Sequence, residues 1–278
     1  MIEIRRARRR VPALTVIVAV WFLWFLLTIN ATASLTGPMA TAAVTEQAVD
    51  SVLPAVGQLF AEDRTCTASV VASRSGRLAM TAAHCVYLPP VTDRMPGIDA
   101  GREPGWINDL VFVPARADQD APYGTWAVER MWVDRTWQAE ATPELDVAFI
   151  ELRDTTSGTA QEVLGAVGLR FDDATDDAVS GPTVDVLGYP TAAPFDGRQL
   201  RRCEDAPTDD RFVDVLEARC ALTAGASGGP WLVRDDEWWT AVAVTSYLPV
   251  ERPGSLGGAR LGAAAEQLWL AADRAASQ

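Results

Sequence analysis

The sequence predicts an all-β protein: two packed six-stranded antiparallel β-barrels with one C-terminal helix, behind an N-terminal hydrophobic membrane segment. Three observations carry this prediction. Short runs of β-type composition, bounded by Gly, Pro, Asp or Asn, occur six times between residues 54 and 152 and six times between residues 167 and 248. The segments between runs lack the helices that an α/β sheet would need. Helical spacing appears at the end of the chain, where Leu261, Ala265, Leu268 and Ala272 share one face of a helix expected over about 259–275.

Taken in order, residues 1–10 form a basic N-terminus with five arginines. Residues 11–29, VPALTVIVAVWFLWFLLTI, are uncharged and mostly apolar. As a helix they span roughly 28 Å, close to the hydrocarbon thickness of a bilayer, which favours an uncleaved anchor. Ala31-Thr32-Ala33 also has the small-x-small form of a signal peptidase site, so cleavage near Ala33 is the alternative. In both cases the arginines stay inside and the rest of the chain is extracytoplasmic. Residues 30–48 read as a linker and residues 49–278 as the folded domain.

Within that domain, PAVGQLF, TCTASVVAS, RLAMTAAHCVY, DLVFVPAR, WAVERMWVD and LDVAFIEL supply a first barrel over about 50–153. The polar stretch DTTSGTAQEVLG reads as a connection between barrels. VGLRF, PTVDVLGYP, QLRRCE, RFVDVLEARC, PWLVRD and WWTAVAVTSYL supply a second over about 165–250. The acidic run from Asp172 to Asp177 reads as a solvated loop, because it lacks the ligand spacing of an EF-hand calcium site.

Charge narrows the partners. The net charge is −13, and beyond residue 33 the chain holds 19 arginines against 36 acidic residues, a net −17 with no lysine anywhere. Such a body is repelled by phosphate backbones, so nucleic acid is excluded as a partner. The single histidine and four cysteines contain no C-x-x-C spacing, so neither a metal nor another cofactor is expected. Four cysteines in an oxidising compartment instead read as two disulfides.

Two stretches carry chemistry. TAAHC, residues 81–85, holds His84, the one side chain in the protein suited to act as a base near neutral pH. GASGGP, residues 225–230, surrounds Ser227 with glycines. Such a turn exposes a hydroxyl and lets backbone N–H groups converge beside it, as an oxyanion hole requires. The same residues satisfy G-x-S-x-G, the nucleophile elbow of α/β-hydrolases, but that fold places its histidine after the serine. Here no histidine follows residue 84.

TAAHC, DVAFIEL beginning at Asp146, and GASGGP together resemble the three active-site blocks of trypsin-like serine peptidases of the chymotrypsin fold, in the family's order across roughly residues 50–275. GYP at 188–190 and CALTAGASGGPW are similar to the secreted bacterial branch that includes V8-like glutamyl endopeptidases. The resemblance implies a His84–Asp146–Ser227 triad, an oxyanion hole at the N–H groups of Gly225 and Ser227, polypeptide substrates and a monomer. Asp146 also suits the role physically, because it opens an apolar strand where a carboxylate needs a donor. Asp134, in WVDRTW, is a reserve acid whose other reading is a turn or surface residue.

The resemblance also pairs Cys66 with Cys85, with Cys85 on an extended strand and facing away from His84, which leaves Cys203 with Cys220. It sets Ala221 at the base of the primary specificity pocket, beside Leu222, and Ser246, Tyr247 and Leu248 along its wall. Two departures matter. Ala226 stands where animal digestive members carry an Asp that pairs with a newly released N-terminus, and the pocket lacks both a carboxylate for basic residues and the histidine of glutamate-specific relatives. The alternative from another class is a catalytically silent homologue that binds peptides in the same cleft. An anchored quality-control protease would need a peptide-binding domain for which no residues remain.

Overall fold

A computed structural model describes residues 54–61, 64–90, 103–171, 183–209, 215–235 and 238–278. The membrane segment 11–29, the linker 30–48 and the acidic run Asp172–Asp177 lie outside the described residues.

The first barrel is closed, as expected. Its strands are β1 (Val56–Phe60), β2 (Thr65–Val70) and β3 (Leu78–Thr81), followed by the small pair β4 (Tyr87–Leu88) and β5 (Gly105–Trp106), then β6 (Val111–Pro114), β7 (Trp126–Val133) and β8 (Ala148–Leu152). The ladder runs β1-β2-β3-β8-β7-β6 and returns to β1, so all six expected runs enter the barrel and β4–β5 stand apart. Strand β8 is buried along its whole length, between β3 and β7. That burial explains why AFIEL shows no polar alternation. Its one acid, Glu151, is held by Arg130 on β7 and by Arg77, the residue before β3.

The second unit departs from the expectation of a closed six-stranded barrel. It comprises β9 (Gly168–Leu169), β10 (Val184–Gly188), β11 (Arg201–Asp205), β12 (Thr208–Asp209), β13 (Val215–Arg219), β14 (Pro230–Asp235), β15 (Trp238–Tyr247) and β16 (Ser255–Arg260). The order is β11-β10-β14-β15-β16-β13-β12, with β9 added in parallel to β15. The two edge strands, β11 and β12, are consecutive in the chain and separated only by Ala206 and Pro207. Pro207 has no N–H to give a ladder, so it contributes no donor where these edges meet in the half-barrel. Side chains span the seam: the Asp205 carboxylate accepts from the Arg219 N–H at 2.6 Å.

Strand β16, SLGGAR, escaped the sequence reading because Gly257 and Gly258 look like a turn. Both glycines are there for space. A Cβ at Gly257 would come within 2.2 Å of the Tyr247 ring, and one at Gly258 within 2.8 Å of the Trp231 ring. The terminal helix therefore starts later than expected, at Ala263, and runs to Ala276. Among the described residues two shorter α-helices precede it, so it is α3, after α1 (Arg135–Glu140) and α2 (Ala160–Leu164). Helix α3 lies on β3, β7 and β8, burying Ala265 and Ala272. A shared core joins both units: Val56, Met80 and Phe149 from the first pack with Leu187, Leu232 and Val244 from the second.

The cysteines divide. Cys66 and Cys85 form a disulfide. Cys85 is not on an extended strand, however: Ala83–Cys85 is a turn of 3-10 helix, and the Cys85 sulfur lies within 4.8 Å of a His84 ring nitrogen rather than facing away from it, although the pairing is the expected one. Cys203 and Cys220 are the partners that elimination brings together, but they are two buried thiols rather than a disulfide. The Cys220 thiol is hydrogen-bonded to Cys203, and that contact, reinforced by burial, pushes its pKa far up. Proximity is necessary for a disulfide but does not make one, since the bond also requires aligned Cβ vectors. Native protein should therefore give no reaction with a thiol-titrating disulfide reagent, and protein unfolded without reductant should give two equivalents per chain. Zero equivalents after unfolding would mean that Cys203 and Cys220 are bonded; four would mean that Cys66 and Cys85 are not.

Candidate active site

The site forms where the two units meet, and a buried carboxylate lies at its centre. Asp146 follows a 3-10 turn, Pro143–Leu145, and lies two residues before the start of β8. Its side chain is fully buried, so each oxygen needs a donor. Oδ1 accepts the backbone N–H of His84 at 2.9 Å. Oδ2 faces His84 Nδ1 at 2.7 Å and also accepts Ser246 Oγ at 2.6 Å. An ionised carboxylate can only accept, so Nδ1 carries the imidazole proton and Nε2 presents its lone pair. The short 3-10 turn after β3 aims both the backbone N–H and the ring of His84 at Asp146.

Ser227 lies in the turn between β13 and β14, clamped from both units. Its carbonyl accepts Thr67 N at 2.8 Å from β2, and the next residue, Gly228, donates to Thr245 O at 2.7 Å on β15. Gly228 has φ +78, and a Cβ there would come within 2.1 Å of Thr81 Oγ1, so only glycine fits. Among the described residues, the N–H groups of Gly225 and Ser227 carry no hydrogen bond. Two free donors flank the serine as an oxyanion site requires. No hydrogen bond joins Ser227 Oγ to His84 among the described residues; in substrate-free sites such contacts are often long and tighten on binding. The sulfurs of Cys66 and Cys85 lie near the His84 ring, but the disulfide removes them as thiolate ligands.

The remaining candidates scatter. Asp134 is the N-cap of α1, accepting from Thr136 N at 2.6 Å, which is the turn role that its sequence context allowed. The Ser246 hydroxyl donates to Asp146 Oδ2 at 2.6 Å. Leu222 is buried in the core of the second unit with Val186, Ala218 and Trp231. Ala221 and Tyr247 are half-buried, while Leu248 is exposed at 46%. Sequence reasoning missed Thr67, whose Oγ1 donates to Gly225 O at 2.9 Å and accepts from Tyr189 N at 2.9 Å. Thr67 and Gly225 lie 158 residues apart, so no local pattern announces the pair.

With this geometry in hand, the chain matches the trypsin-like peptidase domain over residues 66–244. A thermostable serine protease, AL20, from an extremophilic microorganism is 27% identical, with a TM-score of 0.68, covering 80% of this chain and 97% of its own. The protease Anisep from Arthrobacter nicotinovorans shares the fold at 23% identity and a TM-score of 0.68, covering 81% of this chain and 96% of its own. A Glu endopeptidase shares it at 17% identity and a TM-score of 0.62, covering 80% and 91%. No match is found among curated protein sequences.

Replacing Ser246 by Ala strands part of a buried carboxylate. The expected loss is about 1–3 kcal/mol of stability, measured by urea unfolding. An unchanged midpoint would show that Asp146 is satisfied without the Ser246 hydroxyl.

Proposed function

This chain belongs to the trypsin-like peptidase family and is a serine endopeptidase, and we propose that it is exported and cuts polypeptides through His84, Asp146 and Ser227. The observation that carries the reading is the fully buried Asp146, which accepts two donors from His84 and one from the second unit. Asp146 orients the imidazole and stabilises its positive charge when Nε2 takes the proton of Ser227 Oγ. The freed oxygen attacks the scissile carbonyl, and the N–H groups of Gly225 and Ser227 receive the oxyanion. His84 then returns the proton to the leaving amine, and water attacks the acyl-enzyme by the same steps in reverse.

Export is supported by the Cys66–Cys85 disulfide, a bond that persists in oxidising compartments, together with the apolar run at residues 11–29. N-terminal sequencing of the exported protein separates a retained membrane anchor from cleavage near Ala33; a chain recovered only from the cytoplasm would refute export. The protein acts as a monomer in this reading.

For specificity, Ala221 brings no charge to the pocket base, and Tyr247 and Leu248 offer apolar surface. Burying an unpaired guanidinium, ammonium or carboxylate costs several kcal/mol, so small and medium apolar P1 residues are favoured. A peptide library scanned at P1 tests this, and strong cleavage after Arg, Lys or Glu would overturn it.

Ser227→Ala should abolish both hydrolysis and labelling by fluorophosphonates, with a rate loss of several orders of magnitude and the fold retained. Labelling that persists at another serine would remove Ser227 from the mechanism. A wild-type chain that binds peptides but neither cleaves nor labels would be a silent homologue.

A further inference from the structure

Two free N–H groups beside a serine are useful only while the peptide planes that carry them keep one orientation. Three consecutive peptides make up this part of the turn. In Ala224–Gly225, which carries the first free N–H, the carbonyl accepts from Thr191 N at 2.6 Å and from Thr191 Oγ1 at 3.0 Å. In Gly225–Ala226, the carbonyl accepts from Thr67 Oγ1 at 2.9 Å and the N–H donates to Thr223 O at 3.1 Å. In Ala226–Ser227, which carries the second free N–H, the carbonyl accepts Gly229 N at 2.9 Å. Because a trans peptide is planar with C=O and N–H opposed, fixing the oxygen fixes the direction of the N–H.

The three anchors are not equivalent. Thr67 is fully buried, and Gly229 belongs to the same turn. The Ala224–Gly225 plane is held from outside, by an exposed residue in the segment after β10. That plane is also the most free to rotate, since Gly225 has φ +95 and lacks a side chain to resist a flip. Ala226 next to it has no carboxylate that could brace the turn. Thr191 instead packs against Gly225 closely enough that a Cβ there would lie 2.7 Å from its Cγ2. The supporting segment is itself fastened, with Thr223 Oγ1 donating to Ala192 O at 2.8 Å and accepting from Ala192 N at 3.2 Å.

We infer that Thr191 is a positioning residue for peptide hydrolysis: by tying the Ala224 carbonyl with two donors, it aims the Gly225 N–H at the oxyanion. The inference rests on the serine endopeptidase reading and assigns within it which residue sets the first oxyanion donor. Thr191 touches no reacting atom. Its contribution is made in the transition state, when charge develops on the substrate oxygen.

The test compares Thr191→Val, which removes Oγ1 while keeping shape and backbone N–H, with Thr191→Ser, which keeps the hydroxyl. In the full-length protein, Thr191→Val should lower kcat about tenfold, the worth of one such hydrogen bond, with KM within twofold of wild type. Affinity for a peptidyl trifluoromethyl ketone, whose adduct carries the oxyanion, should fall by the same factor. Thr191→Ser should recover most of both, and thermal unfolding should be unchanged because the residue is exposed. A crystal structure of Thr191→Val should show the Ala224–Gly225 peptide flipped or in two orientations, a readout independent of turnover. An unchanged kcat with an unflipped peptide, a loss expressed wholly in KM, or a serine variant as impaired as the valine one would overturn the inference. Absence of cleavage and labelling in the wild type would instead refute the endopeptidase reading, and the peptide orientation in Thr191→Val would still decide the role of Thr191.

Discussion

Burying the Asp146 carboxylate is the constraint on which this site depends. A carboxylate with no solvent exposure is tolerated only when its oxygens find donors, and removing the hydrogen-bond partner of a buried polar group costs about 1–3 kcal/mol. Asp146 meets that condition with donors from two units, the His84 backbone and ring on one side and Ser246 on the other. The same bonds that satisfy the charge fix the tautomer and direction of the imidazole. Because Ser246 belongs to β15, the carboxylate also registers the second unit against the first.

Ser227 is positioned by a parallel logic that uses the backbone. Its turn is gripped by Thr67 from β2 and Thr245 from β15, and the glycines at 228 and 229 let it sink between them. Within the turn, hydrogen bonds to carbonyl oxygens leave the N–H groups of Gly225 and Ser227 without partners. Unpaired buried donors are costly elsewhere in a protein, so a pair of them beside a serine is a site prepared for an acceptor that arrives with the substrate.

The two cysteine pairs sit under different constraints. Cys66–Cys85 ties β2 to the turn that carries His84, so its covalent link bears directly on the base. Cys203 and Cys220 meet at the seam where Pro207 interrupts the ladder of the half-barrel. There, a hydrogen bond from the Arg219 backbone N–H to the Asp205 carboxylate and one between the thiols span a gap that the backbone leaves open.

The sequence by itself determined the all-β class, the six strands of the first barrel, the terminal helix face, and His84, Asp146 and Ser227 as the residues to watch. These are local signals: alternation, glycine-rich turns, a single histidine, and a carboxylate at the mouth of an apolar strand. It misjudged what depends on neighbours far along the chain. Strand β16 was hidden because its glycines answer to the rings of Tyr247 and Trp231, and the second sheet has β11 and β12 as its two edges rather than a closed ladder. The bond from the Ser246 hydroxyl to Asp146, 100 residues away, was equally hidden. Thr67 and Thr191 gave no sign at all, since a threonine in sequence is only a threonine. Which carbonyl it holds, and therefore which N–H is left free, is decided by contacts across 158 and 33 residues that only the folded chain creates.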